Sequence, residues 1–263
     1  MIERSKGEFN YGYNSVTELD GKNANMLMDF GILKLKKEDS YTNEDNKERA
    51  FLLIEGSITY EWEGQKQVAT RKSSFDESPF CLHVPGSVKV TITGEDESLV
   101  AIQAVYNDTE FASVFYTQEM CRSEQFGAGT LGETSTRTVR TIFDDNNAPY
   151  SEMVIGEVIT HPGKWSSYPP HHHPQPEVYY YRFNIESGFG YCEQGDDIYK
   201  VHHNDAACIE GGKTHPQTAA PGYAMYYLWL IPHLKEARFN DRIFVEPHKW
   251  TLDPKAKIWP DKE

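Results

Sequence analysis

Hydrophobic positions along the chain recur at short range. Residues 87–93 (SVKVTIT) alternate strictly and predict a half-buried strand. Residues 98–105 (SLVAIQAV) are a more continuous apolar strand, and residues 49–62 (RAFLLIEGSITYEW) carry two apolar runs around Gly56. Pro85-Gly86 marks a turn between strands. A second series begins near Arg137, with strands predicted at 153–160, 178–183, 206–209 and 224–231. Turn signals separate them at Pro162-Gly163, Pro169-Pro170, Gly211-Gly212 and Pro221-Gly222. No long stretch has helical period. Short strands at this spacing predict a sandwich or a closed barrel.

The halves read as diverged copies. Residues 52–60, with Gly56, echo residues 179–191, with Gly188. Residues 81–93 (CLHVPGSVKVTIT) echo residues 207–219 (ACIEGGKTHPQTA). Residues 120–134 are the best linker, which divides the chain into domains at 1–125 and 126–263. The charged residues 36–48 predict a surface loop, and the polar, Pro-punctuated last 30 residues are expected to wrap over the surface.

Composition strengthens the β reading. A chain of 263 residues can form one large or two ordinary domains. Its 16 Tyr and 13 Phe belong to the residue types that favour strands. The formal net charge of −14 repels nucleic acid and anionic membranes. It would also repel an anionic substrate, so a carboxylate would need a local cation; screening over roughly 8–10 Å makes this feasible. No apolar run approaches the ~20 residues of a membrane helix. The start, MIERSKGEFNYGYN, lacks the apolar stretch of a secretory signal, so a soluble cytoplasmic protein is expected. Cys81, Cys121, Cys192 and Cys208 form no CxxC pair and are expected to be free thiols.

Chemistry concentrates in residues 169–188 (PPHHHPQPEVYYYRFNIESG). In a strand, His171 and His173 point to one side. After the turn at Pro174–Pro176, Glu177 opens the next strand, and its carboxylate can return beside the two imidazoles. A glycine turn at Gly211-Gly212 feeds His215 into a strand as the fourth ligand. Such a set suits one divalent ion, with Zn first and Mn, Fe or Ni as alternatives. His172 reads as solvated, His202 and His203 as surface residues, and His161, His233 and His248 as turn or tail residues. His83 lies in the ligand-poor half. There Glu48 could take the place of Glu177, but no HxH precedes it, and Lys89-Val90 falls where the metal histidine would be. The first domain is therefore expected to be metal-free, shaping the pocket or a homo-oligomer contact.

HxHx₃E with a later GxxH resembles the two cupin motifs, with Glu210 standing where the second motif has proline. Larger blocks resemble the 5-deoxy-glucuronate isomerases of inositol catabolism, a bicupin family. These blocks are GEVITHPGKWSSYPPHHH at 156–173, RTVRTI at 137–142 and SFDESPFCLHVPG at 74–86, together with residues 177–183 and 214–229. The resemblance spans residues 48–232, and GKWSSYPPH is its most specific piece. It implies an all-β chain of two cupin jelly-roll barrels. It also implies a metal-dependent ketol isomerase that turns a deoxyuronate, most directly 5-deoxy-glucuronate, into its ketose, 5-dehydro-2-deoxy-gluconate. The metal would act as a Lewis acid on the enediolate, and a base would shuttle the proton. By alternation Tyr179 and Tyr181 share the face of Glu177 and are candidates, though a core tyrosine is equally consistent. For the substrate carboxylate, Lys164 leads, followed by Arg137 and Arg140; Arg182 is near but alternation turns it outward. The alternatives are an isomerase of unsaturated uronates from pectin breakdown, a cupin dioxygenase, and a non-catalytic sugar-acid sensor. No basic helix-turn-helix supports a sensor that binds DNA.

Overall fold

The computed structural model describes residues 1–5 and 7–260. Antiparallel strands form two compact units. One contains residues 7–122 with Ile142–Val154. The other contains Met1–Ser5, Ser123–Thr141 and the described residues from Ile155 onward.

In the first unit the strand Glu48–Trp62 serves two sheets. Its first half pairs with Cys81–Val84 and Ser98–Val105, and its second half with Gln65–Arg71 and Val90–Gly94. The change of partner centres on a register shift between Leu53 and Glu55 and on Gly56, whose φ is 108°. A Cβ there would lie 2.4 Å from the Glu97 carbonyl oxygen, so only glycine allows the bend. The curled sheets enclose Phe51, Leu53, Ile58, Tyr60, Ile92 and Val100 among other buried residues. Burial of this apolar area, at about 25 cal/mol per Å², is the main force that closes the barrel.

In the second unit Glu177–Phe183 is central. It lies between Ala206–Ile209 and Met225–Pro232, and the sheet continues through Met153–Thr160 and Arg137–Phe143. Facing strands are Trp165–Ser166, Gln217–Ala219, Phe189–Gln194 and Asp197–His202. The interior holds Tyr179, Tyr181, Phe183, Cys192, Val201 and Tyr227. The N-terminal Ile2–Glu3 pairs with Ala206 and Ala207 as the edge strand of this sheet.

Most expected strands form within a residue of the predicted bounds, with two informative departures. The strand expected at 87–93 starts at Val90, because Ser87 has a left-handed φ of 65° and belongs to the turn. The charged stretch 36–48 is not all loop: Ser40–Asn43 pairs with Val90–Gly94 and Tyr41 packs on the core. The tail also contributes a strand, Ile243–Phe244. The last three residues of that stretch lie outside the described residues.

The matching registers correct one expectation. Arg49, Phe51 and Leu53 alternate along one face, with Arg49 opposite Val84 and Phe51 opposite Leu82. Glu177, Tyr179 and Tyr181 do the same, with Glu177 opposite Ile209 and Tyr179 opposite Ala207. The counterpart of Glu177 is thus Arg49, and Glu48 faces the other way. Glu48 is fully buried there, with Oε1 2.6 Å from His83 Nε2 and Oε2 accepting from Asn107 and the Glu152 amide. Arg49 is buried too, and its guanidinium donates to the Asn43 side chain at 2.6 Å and to the carbonyls of Lys47, Pro85 and Val88 at 2.9, 3.0 and 2.8 Å. Burial pulls its pKa down to about 10, which still leaves it charged at neutral pH. A fixed cation stands where the second unit offers a carboxylate, and a divalent ion there would meet like charge.

Arg49→Met should therefore strand several buried carbonyls and cost about 3 kcal/mol or more of stability. Urea unfolding should show a lower midpoint at unchanged slope, whereas an unchanged midpoint would mean the guanidinium contributes nothing.

Candidate metal centre

Donor atoms of His173, Glu177 and His215 lie within 4.8 Å of one another, all buried. Glu177 Oε2 is 3.3 Å from His173 Nε2 and 3.4 Å from His215 Nε2. His171 stands beside this triangle, its ring centroid 4.9 Å from that of His215. The four donors expected from sequence thus converge, three of them tightly and His171 at ring contact.

Local structure presents the imidazoles for ligation. His171 Nδ1 donates to the Pro169 carbonyl at 2.9 Å, His173 Nδ1 to that of Gln175 at 3.1 Å, and His215 Nδ1 to that of Lys213 at 2.9 Å. A carbonyl can only accept, so each Nδ1 carries a proton and Nε2 is the nitrogen left to ligate. Glu177 Oε2 is buried with no hydrogen-bond partner. An orphaned carboxylate oxygen facing imidazole lone pairs is costly without a cation, so these residues fit a divalent ion. Burial, with His215 beside it, pulls the His171 pKa down to about 3. Burial also lowers His215, against the opposing pull of Glu177. Both rings therefore stay neutral, as ligands must.

Two loops must meet for His173 and His215 to converge. The Gly212 amide donates to the His173 carbonyl at 2.8 Å. A Cβ at Gly211 would lie 2.0 Å from the Pro174 carbonyl oxygen, so the approach requires glycine. Gln217 donates to the His215 carbonyl at 2.8 Å and accepts from Tyr181 at 2.8 Å. Tyr181 therefore supports the His215 loop, the core reading of the two that sequence allowed. Tyr179 differs: its hydroxyl is 3.2 Å from Ser167 Oγ, and its ring is 6.0 Å from that of His215. His172, expected to be solvated, is only partly exposed and pairs with Ile243 of the tail strand.

The expected cations separate. Arg182 alternates onto the face opposite Glu177, beside Tyr226, and is no part of the site. Lys164 bears on Glu133, whose carboxyl is lowered chiefly by the Gly129 amide. Arg140 is spent on Glu157 at 3.4 Å. Arg137 donates to the Ser135 and Tyr168 carbonyls at 2.9 and 3.1 Å and bears on Tyr227, with no carboxylate pairing it among the described residues.

Sequence reasoning missed six further residues. Ser166, Ser167 and Tyr227 join hydroxyls beneath the donors, with Tyr227 OH 3.0 Å from Ser166 Oγ and 3.1 Å from Ser167 Oγ. The two serines stood in view inside GKWSSYPPH. Arg242, in the tail, bears on both His171 and Arg137. The tail also lays Phe239 and Phe244 against His173 and His171, at ring separations of 5.0 and 5.6 Å.

Two curled antiparallel barrels, one with a His/Glu donor set at the mouth of its central strand, define a cupin protein of the two-barrel kind. Its fold is like that of oxalate decarboxylase from Bacillus subtilis, with a TM-score of 0.62 at 10% identity over 93% of this chain and 78% of that one. The chain belongs to the KduI/IolB family, whose model matches residues 1–251. It is 26% identical to 5-deoxy-glucuronate isomerase of Bacillus licheniformis over 94% of this chain and 96% of that protein. The isomerase of Bacillus subtilis strain 168 matches at the same identity and coverage. An IolB-like protein from Salmonella typhimurium LT2 superimposes with a TM-score of 0.85 at 22% identity, covering 95% of this chain and 98% of that one. Family membership makes this protein an isomerase.

The low folded pKa of His171 sets a pH dependence for the metal-free protein. Between about 6.5, the ordinary value, and about 3 the unfolded chain binds a proton that the folded one does not. Stability should fall as pH drops through that window. Thermal melts of chelator-treated protein should show the loss, and His171→Ala should flatten it. An equal slope in that variant would contradict the assignment.

Proposed function

We propose that the protein is a metal-dependent ketol isomerase that converts 5-deoxy-glucuronate into 5-dehydro-2-deoxy-gluconate. The observation that carries this reading is the buried Glu177 oxygen with no hydrogen-bond partner, set against the His173 and His215 rings, in a chain whose curated relatives bear that enzyme name. His171, His173, Glu177 and His215 would hold one ion, with Zn²⁺ first and Mn²⁺, Fe²⁺ or Ni²⁺ as alternatives. The ion would supply electrostatic stabilisation to oxygens that gain charge.

The chain's own residues perform the rest. Arg137 binds the substrate carboxylate, because its guanidinium donates to two carbonyls and no carboxylate pairs it among the described residues. Arg242 adds a second cation, which overcomes the repulsion of a chain with net charge −14. Phe239 and Phe244 exclude water from the imidazoles. Tyr179 stands on the same strand face as Glu177 and holds a proton within reach of a bound sugar. Four buried cysteines in thiol form support a reducing compartment such as the cytoplasm. No helix among the described residues is long and apolar enough to cross a membrane.

The test is to strip the protein, reload it with Zn²⁺ and supply 5-deoxy-glucuronate without oxygen. Turnover to the ketose is expected, because Zn²⁺ has no redox cycle and the reaction needs none. Activity only with iron and oxygen would instead favour a dioxygenase. Activity confined to an unsaturated uronate would move the substrate to pectin breakdown. Tight sugar-acid binding without turnover would make the protein a sensor.

A further inference from the structure

Beneath the metal donors the second barrel carries buried hydroxyls linked at hydrogen-bond distance. Thr160 Oγ1 donates to Ser166 Oγ at 2.7 Å, and Ser166 Oγ accepts from Tyr227 OH at 3.0 Å. Tyr227 OH is 3.1 Å from Ser167 Oγ, which is 3.2 Å from Tyr179 OH. Two tyrosines thus face one serine that bridges them, their rings 4.5 Å apart.

Folding does not require these hydroxyls. In the first barrel the register places Phe51 where Tyr179 stands and Leu53 where Tyr181 stands. Leu53 pairs with Val100 as Tyr181 pairs with Tyr227, so Val100 marks the position of Tyr227. The barrel whose ligand position holds a fixed cation is apolar at all three positions. The barrel with the donor set has tyrosine at all three. Burying a hydroxyl costs free energy unless it is satisfied, so three at equivalent points call for a use. Tyr181 has one in supporting Gln217 and the His215 loop. Ser167 adds a second sign, for it is a non-glycine residue at φ 49°, a left-handed conformation that persists only where surroundings impose it.

We propose that Tyr179, Ser167 and Tyr227 form a neutral hydroxyl relay that carries the oxygen-bound proton of the isomerisation from one substrate oxygen to the other. The assignment rests on the ketol-isomerase reading. Converting a 2-hydroxyaldehyde into a 1-hydroxyketone breaks C2–H and O2–H and makes C1–H and O1–H. The carbonyl π pair moves from C1–O1 to C2–O2, and no oxidant or reductant is consumed. One proton must therefore leave O2 and one must reach O1. In the relay Tyr179 gives its proton to O1, Ser167 reprotonates Tyr179, and Tyr227, with its hydroxyl rotated from Ser166 to Ser167, reprotonates Ser167 and takes the proton from O2. No member becomes charged at any stage.

Ser167→Gly is the decisive variant, because glycine accepts the positive φ and removes the hydroxyl together with its Cβ. It should retain the wild-type metal content and melt at the same temperature or higher. Its kcat should fall roughly 100-fold, with KM within about threefold of wild type. In mixtures of H₂O and D₂O the wild-type rate should bow with deuterium fraction, the mark of several protons in motion, and the Ser167→Gly rate should not. Tyr180→Phe, on the opposite face where its hydroxyl bonds Asn204, should leave kcat and the bowing unchanged. An active wild type with a linear isotope dependence, or a Ser167→Gly enzyme with full kcat, would overturn the relay alone. A wild type inert toward every deoxyuronate would remove the isomerase reading and the relay with it.

Discussion

Each imidazole at the centre donates its Nδ1 proton to a backbone carbonyl two residues away in sequence. That contact holds each ring in a loop where it could otherwise rotate, and it aims Nε2 of His173 and of His215 at Glu177. Two such rings at a buried carboxylate oxygen, with His171 beside them, make a costly cluster in isolation, since the oxygen has no hydrogen-bond partner. The second barrel is arranged to bear that cost. Gly211 lets the two ligand loops touch, Gln217 and Tyr181 brace the His215 loop, and tail aromatics cover the rings.

The first barrel shows the same scaffold with the electrostatics inverted. Its central strand carries Arg49 where the second carries Glu177, and the guanidinium binds loop carbonyls itself. A side-chain cation thereby ties the barrel mouth together. One frame closes around a charge it owns, and the other presents donors that fit a divalent ion. The apolar Phe51, Leu53 and Val100 against Tyr179, Tyr181 and Tyr227 follow the same division.

Much of this was legible in the residues. HxHx₃E and GxxH named side chains that the structure brings together, because spacing within one turn is local, and the β architecture followed from short alternation and turn residues. The misreadings have physical causes. Glu48 can stand for Glu177 on sequence alone because sequence shows a strand without showing its facing, and a slip of one residue exchanges the two faces. The same alternation turned Arg182 outward, which the structure shows. Tyr227 could not be linked to Ser167, 60 residues away, before the strands between them were paired. Arg242 lay in a polar tail expected only to wrap the surface, and its bearing on His171 arises from the pairing of Ile243–Phe244 with the ligand strand. The tightest donor set omits His171, a difference of ring position that spacing does not encode.

The central claim is that the second barrel is built around one ion and that Glu177 is the group that requires it. It is tested most directly by elemental analysis of protein purified with excess Zn²⁺ and then desalted. The account predicts one equivalent per chain for wild type and a loss of most of it in Glu177→Gln, which keeps the shape of the side chain and removes its charge. Two equivalents in wild type, or a full equivalent retained by Glu177→Gln, would contradict it.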